Sequence, residues 1–264
     1  MIADAAGAAG AGGPAAWRPV KVVAPAKLTL GLRVTGVRPD GYHLIDAEMV
    51  ALDLVDELTF EPGDGIDVVD ETGRDGAGRA GQGRLDHDLE DNLIVRALRS
   101  VERRAHVVVR KRIPLGAGLG GGSADAAAVL RWADRLDPDL ALALGADVPF
   151  CLLGEGRARV RGVGELLEPL PPRAASFTLL TPPFGCSTPA VYRAWDEMGG
   201  PRHPTNDLEP AALAVEPRLA AWRDRLAAST GRQPRLAGSG STWFVDGEFP
   251  GVGGTIARTV VTGR

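Results

Sequence analysis

The stretch from Val107 to Leu130, VVVRKRIPLGAGLGGGSADAAAVL, limits what this chain can become more than any other. Val107, Val108 and Val109 are β-branched and suit a strand. Pro114 cannot donate to a ladder and marks the strand's exit. Five glycines follow: Gly116, Gly118, Gly120, Gly121 and Gly122. Ser123 is predicted to cap a helix that carries Asp125 in its first turn. Glycines without Cβ atoms, able to take positive φ, let several N–H groups converge. The helix start adds free N–H donors and a partial positive charge. A phosphate chain is the natural guest. A plain surface turn would not need five glycines ahead of a capped helix.

Two familiar phosphate loops fit poorly. No lysine lies between Gly116 and Ser123, so the lysine-bearing loop is absent. The dinucleotide pattern is met literally at Gly116-x-Gly118-x-x-Gly121, with Asp137 downstream. In that pattern, however, the strand runs almost directly into the first glycine, whereas Arg110 to Leu115 intervene here.

Composition excludes several classes. The chain has 264 residues and a net charge of -4, ordinary for a soluble globular protein and without the basic excess of a nucleic-acid binder. No apolar run is long enough for a membrane span. Cys151 and Cys186 form no disulfide framework, so the reducing cytoplasm is the expected compartment. The histidines, His43, His87, His106 and His203, are scattered without metal spacing, and no protein-built metal site is expected.

Along the chain, residues 1–16 read as a disordered Ala/Gly tail. Val20–Leu32 reads as two strand pieces broken at Pro25, with Lys27 either on an exposed edge or aimed at a ligand. Asp40-Gly41 is a turn followed by Tyr42 and His43. Met49–Phe60 alternates as a strand, with Asp53 and Asp56 near a bend, and Glu61–Asp91 reads as strand fragments and a mobile loop. Asp91 or Asn92 caps the next helix. The loop helix is expected over Ser123–Leu136, ended by Asp137-Pro138, with only a short helix over Asp139–Leu144. Asp147, ahead of Pro149, is a cap, a turn former or a functional acid. Gly156–Leu170 reads as a hairpin and Pro169–Pro172 as a linker between domains 17–168 and 173–264. Phe177–Leu180 is a strand, and Ser187 or Thr188 caps a helix bearing Tyr192. Glu216–Ala228 places Leu219, Trp222 and Leu226 on one helical face. Gly238 to Thr242 is a second glycine turn before strand Trp243–Val245, and Val252–Thr262 is a closing helix or strand.

Pro114-Leu115-Gly116-Ala117-Gly118-Leu119-Gly120-Gly121-Gly122-Ser123-Ala124 resembles the central motif of the GHMP small-molecule kinases, such as galactokinase, homoserine kinase and mevalonate kinase. Its Gly-Leu-Gly-Gly-Gly-Ser wording is closest to the branch that acts on a cytidine diphosphate-linked polyol. Ala24-Pro25-Ala26-Lys27-Leu28 resembles the opening motif, Leu144 to Pro149 the segment with the catalytic aspartate, and Leu236 to Thr242 the third motif. Asp40-Gly41-Tyr42-His43 resembles a signature of that one branch, and Asn206 to Glu209 is also characteristic of it, with a structural capping job near the active site. There are two departures. Thr29 stands where the family usually has Asn, keeping a hydroxyl but losing the amide's second donor, and the helical stretch before Asp147 is short.

The resemblance implies an α+β, two-domain GHMP-kinase-like fold with the active site in the interdomain cleft. It further implies ATP and Mg²⁺, with the loop from Pro114 to Ala124 on the phosphates and Asn92 beside the adenine. Lys27 and Asp147 become catalytic. Tyr42 stacks on the cytosine, His43 hydrogen-bonds it, and Tyr192 either completes the sandwich or simply packs its helix. Thr29 and Thr188 fall on the substrate side. The implied activity is ATP-dependent phosphorylation of a hydroxyl on that polyol. Another small-molecule kinase of the family, a non-catalytic nucleotide-binding relative and, less well fitted to the loop, a nicotinamide dehydrogenase are the alternatives.

Overall fold

The computed structural model describes residues 18–73, 82–83, 92–153 and 156–261, with the backbone alone at 82–83. The expected tail over 1–16, Asp91 as a cap and much of the expected loop up to Asp91 lie outside the described residues. Strand Val20–Val37 (β1) and strand His43–Glu61 (β2) form one long antiparallel hairpin around the Asp40-Gly41 turn. The expected break at Pro25 is not there. The strand runs through, and Pro25, which has no N–H to offer, is absorbed by a register shift between Pro25 and Lys27.

β2 gives one edge to β1 along its length. Its other edge pairs with His106–Lys111 (β5) near the end and with Arg157–Gly162 (β6) near the start. Gly65–Asp70 (β3), Gln82–Gly83 (β4) and Leu166–Pro169 (β7) complete a seven-stranded sheet. Helices Leu93–Ser100 (α1), Gly121–Trp132 (α2), Pro138–Leu144 (α3) and Val148–Leu153 (α4) accompany it. The Ala126–Leu130 segment of α2 is wholly buried among Leu28, Phe60, Val107, Val109 and Ile113. Sheet membership changes between Pro169 and Ser176. From there Ser176–Leu180 (β8), Arg235–Leu236 (β9), Trp243–Asp246 (β10) and Thr255–Arg258 (β11) form a four-stranded antiparallel sheet in the order β11-β8-β10-β9. Thr188–Glu197 (α5), Glu209–Val215 (α6) and Leu219–Thr230 (α7) lie with it.

Several expected helix ends move. Gly120, in a left-handed conformation, occupies the N-cap of α2, so Ser123 sits inside the first turn rather than capping it. α2 stops at Trp132, and Asp137 caps α3 by accepting from the N–H groups of Asp139 and Leu140. α7 begins at Leu219, and the chain's closing segment is a short 3₁₀ turn, Pro250–Val252, followed by β11.

Asp125 is not a surface acid complementing the helix dipole. It is buried with Lys111, whose Nζ lies 2.6 Å from its Oδ2 and also bonds Asp56. Asp56, expected at a bend, is fully buried and accepts from the backbone N–H groups of Arg112 and Ile113. The cluster therefore ties β2, the exit of β5 and the start of α2 beneath the glycine loop. Burial pushes the Asp125 carboxyl up, to about 7, against the pull of Lys111 and with the help of Asp56. Burial alone would lower Lys111, but the two carboxylates more than offset it and its ammonium is held more firmly than usual.

Asp207 ties β1 to the segment ahead of α6. Fully buried, it accepts from Val34 N at 3.0 Å, His203 N at 3.0 Å, Arg33 Nη1 at 3.0 Å and Arg202 Nη1 at 2.8 Å. Burial opposes its ionisation, yet these donors win and its carboxyl lies below the usual range. Replacing Lys111 by Met leaves two buried carboxylates unpaired, and denaturant unfolding is expected to show a loss of about 3–5 kcal/mol. Asp207→Asn should also destabilise. Because the Asp207 pKa is depressed in the folded state, its advantage over Asn is full above about pH 4 and is lost as pH falls through the depressed value, which melts across pH 7 to 3 would track.

Candidate functional site

A cavity of about 360 Å³ opens where the glycine loop, β1, β2 and the elements of the second sheet meet. The loop forms its floor. Gly116, Gly118 and Gly120 have φ of 65°, 76° and 69°, the left-handed region in which glycine is at home. Gly121 and Gly122 are already helical. The loop backbone is therefore bare toward the cavity at the positive end of α2.

The glycines do a second job that the anion reading does not require. A Cβ on Gly118 would stand 2.2 Å from the carbonyl oxygen of Ala237, and one on Gly120 would stand 2.7 Å from Cγ of Lys27. The loop is thus pressed between β1 and the Leu236–Thr242 turn. Backbone bonds fix both contacts, Lys27 N donating to Leu119 O at 3.0 Å and Thr242 N donating to Ala117 O at 3.1 Å. Lys111, dismissed by sequence as part of an intervening spacer, lies just beneath: a Cβ on Gly121 would be 3.4 Å from its Nζ.

At the cavity wall the side chain of Lys27 is 6% exposed, and its Nζ lies 3.2 Å from Asp147 Oδ2 and donates to Thr29 Oγ1 at 3.2 Å. Asp147 precedes α4 and is 31% exposed, so the pair is closed on the lysine side and open on the carboxylate side. Thr29 is buried and serves as a hydroxyl partner for Lys27. Cys151 is close by, but burial, aided by Asp147, pushes its thiol up to about 12, so it is no nucleophile.

On the far wall His43, Tyr192 and Thr188 line the same space. The rings of His43 and Tyr192 are 4.6 Å apart, and His43 Nε2 is 2.9 Å from Asp196 Oδ1. Burial raises the Tyr192 phenol, with Asp147 adding to it, so the ring stays neutral. Thr188 does not cap α5. Ser187 holds that position without a side-chain bond, and the hydroxyl of Thr188 pairs with Ser239 at 2.7 Å.

Three expected residues are not brought into this space. Tyr42 is 63% exposed at the hairpin tip and is not among the residues that line the cavity, although its neighbour His43 is. Asn92 caps α1 by accepting from Ile94 N at 2.8 Å, and its neighbour Leu93 reaches the lining instead. Ala124 is buried in the core under the loop. Pro114, Leu115, Gly116, Ala117, Gly118, Leu119, Gly120, Gly121, Gly122 and Ser123 all line the cavity. Ile45, Met49 and Val163 line it as well; no local signal in the sequence marks them, since their place depends on strand pairing. Asn206, expected to cap a helix, accepts from Leu208 N at 3.0 Å at the entry to α6, and it also donates to the carbonyls of Leu236 and Gly238 and holds the second glycine turn in place.

Residues 92–155 match the family described as GHMP kinases N terminal domain. The chain is 41% identical over 241 residues to a 4-diphosphocytidyl-2-C-methyl-D-erythritol kinase of Paracoccus denitrificans, covering 84% of each chain. It is 37% identical to the protein of that name from Ruegeria pomeroyi, covering 89% of this chain and 90% of that one. A crystal structure of 4-(cytidine 5'-diphospho)-2C-methyl-D-erythritol kinase superposes with a TM-score of 0.68 at 33% identity, over 92% of this chain and 100% of the other.

The contact between the loop and the second turn carries its own consequence. Gly118→Ala strains a positive φ and drives a methyl into the Ala237 carbonyl, so the two motifs must part. Calorimetric titration with ATP is expected to show affinity at least about tenfold weaker, while far-UV circular dichroism is retained.

Proposed function

The chain belongs to the 4-diphosphocytidyl-2-C-methyl-D-erythritol kinases of the GHMP family, and from that membership we propose that it transfers the γ-phosphoryl group of ATP to the 2-hydroxyl of 4-diphosphocytidyl-2-C-methyl-D-erythritol. The step belongs to the non-mevalonate route to isoprenoids. The observation that carries this reading is the Lys27–Asp147 pair, 3.2 Å apart at the wall of a cavity floored by bare loop amides.

The bare amides of Gly116 to Ser123 and the start of α2 hold the ATP phosphates. Asp147, the exposed member of the pair, takes the proton of the acceptor hydroxyl. An ordinary carboxylate is a weak base, which suffices where proton loss comes late in a loose transition state. Lys27 orients the hydroxyl and stabilises negative charge on the group in transfer. Its ammonium has three donors, two of them committed to Thr29 and Asp147, so one is left for an incoming oxygen. His43 and Tyr192 receive the cytosine end.

Asp147 is the one carboxylate among the described cavity-lining residues, and no cluster of three or more metal-binding side chains occurs among the described residues. That donor set fits an Mg²⁺ held mainly by phosphate oxygens and water, with the Ser123 hydroxyl and Asp147 as the protein oxygens at hand. When bound, Mg²⁺ neutralises phosphate charge. Residues 17–168 act as the nucleotide-side domain and 173–264 as the substrate-side domain, and the two free thiols accord with a cytoplasmic enzyme.

A coupled ADP-release assay with the cytidine diphosphate substrate tests the proposal. Asp147→Asn is expected to lower kcat by about 10²–10⁴ with ATP affinity nearly unchanged. Normal turnover by that variant would remove Asp147 as the base, and turnover of homoserine or mevalonate in preference to the cytidine substrate would reassign the acceptor.

A further inference from the structure

His43 reaches the cavity with one ring nitrogen already committed. Its Nε2 lies 2.9 Å from Oδ1 of Asp196, on the last turn of α5. An ionised carboxylate can only accept, so a neutral imidazole in this contact carries its proton on Nε2. Nδ1, which has no partner among the described residues, is then left as a lone pair. The ring is also fixed in place, with Tyr192 at 4.6 Å on one side and Trp195 edge-on at 5.7 Å. Trp195 is itself held by a bond from its Nε1 to the carbonyl of Pro201 at 3.1 Å. Asp196 does not line the cavity and is absent from every motif noted in the sequence.

A fixed acceptor distinguishes pyrimidines. Cytosine offers an exocyclic amine donor where uracil offers a carbonyl acceptor. Against a lone pair, the first makes a hydrogen bond and the second faces an oxygen. We propose that Asp196 is a positioning residue for base selection: it holds His43 in the Nε2–H tautomer, so that Nδ1 accepts from the cytosine amine and refuses uracil. The inference rests on the cytidine-substrate reading above and adds to it the group that sets the selectivity.

The test compares kcat/KM for the cytidine diphosphate substrate and its uridine counterpart in the wild type, Asp196→Ala and Asp196→Asn. Asp196 is nearly half exposed, and neither variant should disturb folding. The preference for cytidine is expected to fall about tenfold or more in Asp196→Ala, through a higher KM for the cytidine substrate with kcat little changed, because the base is remote from the reacting hydroxyl. Asp196→Asn, whose amide can serve either tautomer, should move the same way. ¹⁵N NMR of His43 provides a readout that a merely structural role would not move: Nε2 protonated in the wild type and a mixture of tautomers in Asp196→Ala. An unchanged base preference with intact cytidine turnover, or Nδ1 protonated in the wild type, overturns the inference alone. Failure of the wild type to turn over the cytidine substrate overturns it together with the reading on which it rests.

Discussion

The free edge of β1 is what the rest of the structure depends on. β2 is paired on both sides, but among the described strands β1 pairs with β2 alone, and an unpaired edge on a strand of eighteen residues invites unwanted pairing. Here that edge is spent on two docking contacts. Lys27 N takes the carbonyl of Leu119 from the glycine loop. A few residues on, Leu32 N takes Thr205 O and Leu32 O accepts from Asp207 N, a short parallel bridge to the second half of the chain. One strand therefore sets the distance between the loop, the Lys27 side chain and the segment that holds the second glycine turn. The irregularity at Pro25 belongs to this arrangement, since the register shift immediately precedes Lys27.

The glycine loop is rigid for reasons unrelated to what it binds. Gly118 packs against the carbonyls of Ala237 and Gly240, Gly120 against the stem of Lys27, and Gly121 against Ile113. Underneath, Asp56, Lys111 and Asp125 replace what would be a mobile strand exit with a buried ionic tie. Such a cluster adds little net stability over an apolar core, but removing one member is costly. A loop assembled in this way presents its amides in a fixed array before any ligand arrives, which is the condition for binding phosphate without paying to order the loop.

Features governed by near neighbours were legible in the sequence. The strand–loop–helix order around Gly116 to Ser123, the Asp40-Gly41 hairpin and the short helix over Asp139–Leu144 follow from local backbone chemistry. What could not be read there depends on partners far along the chain. Ser123 looks like a cap, but Gly120 takes the left-handed cap position because Lys27 leaves no room for a Cβ there. Asp125 looks like a dipole partner until Lys111 and Asp56 are seen beside it. Asn92 keeps the capping role that its local context suggests, whereas Tyr42 is left exposed at the hairpin tip, outside the cavity lining. Asp196 carries no signal at all, since its contact with His43 spans 153 positions.

Two Lys–Asp arrangements among the described residues are of nearly identical chemistry, and the contrast between them separates a structural site from a chemical one. Lys111 meets two carboxylates in a sealed interior, and one of them, Asp56, is saturated by backbone N–H groups as well. Lys111 does not line the cavity, and its attraction is used in holding elements together. Lys27 meets one carboxylate and one hydroxyl, and that carboxylate stands partly in the open. The pair keeps a spare donor on nitrogen and spare acceptor capacity on oxygen, both at the wall of the cavity that the loop amides floor. Unused hydrogen-bonding capacity, held in place by a buried stem and facing a space of ligand size, distinguishes groups that act on a substrate from groups that only hold the fold together.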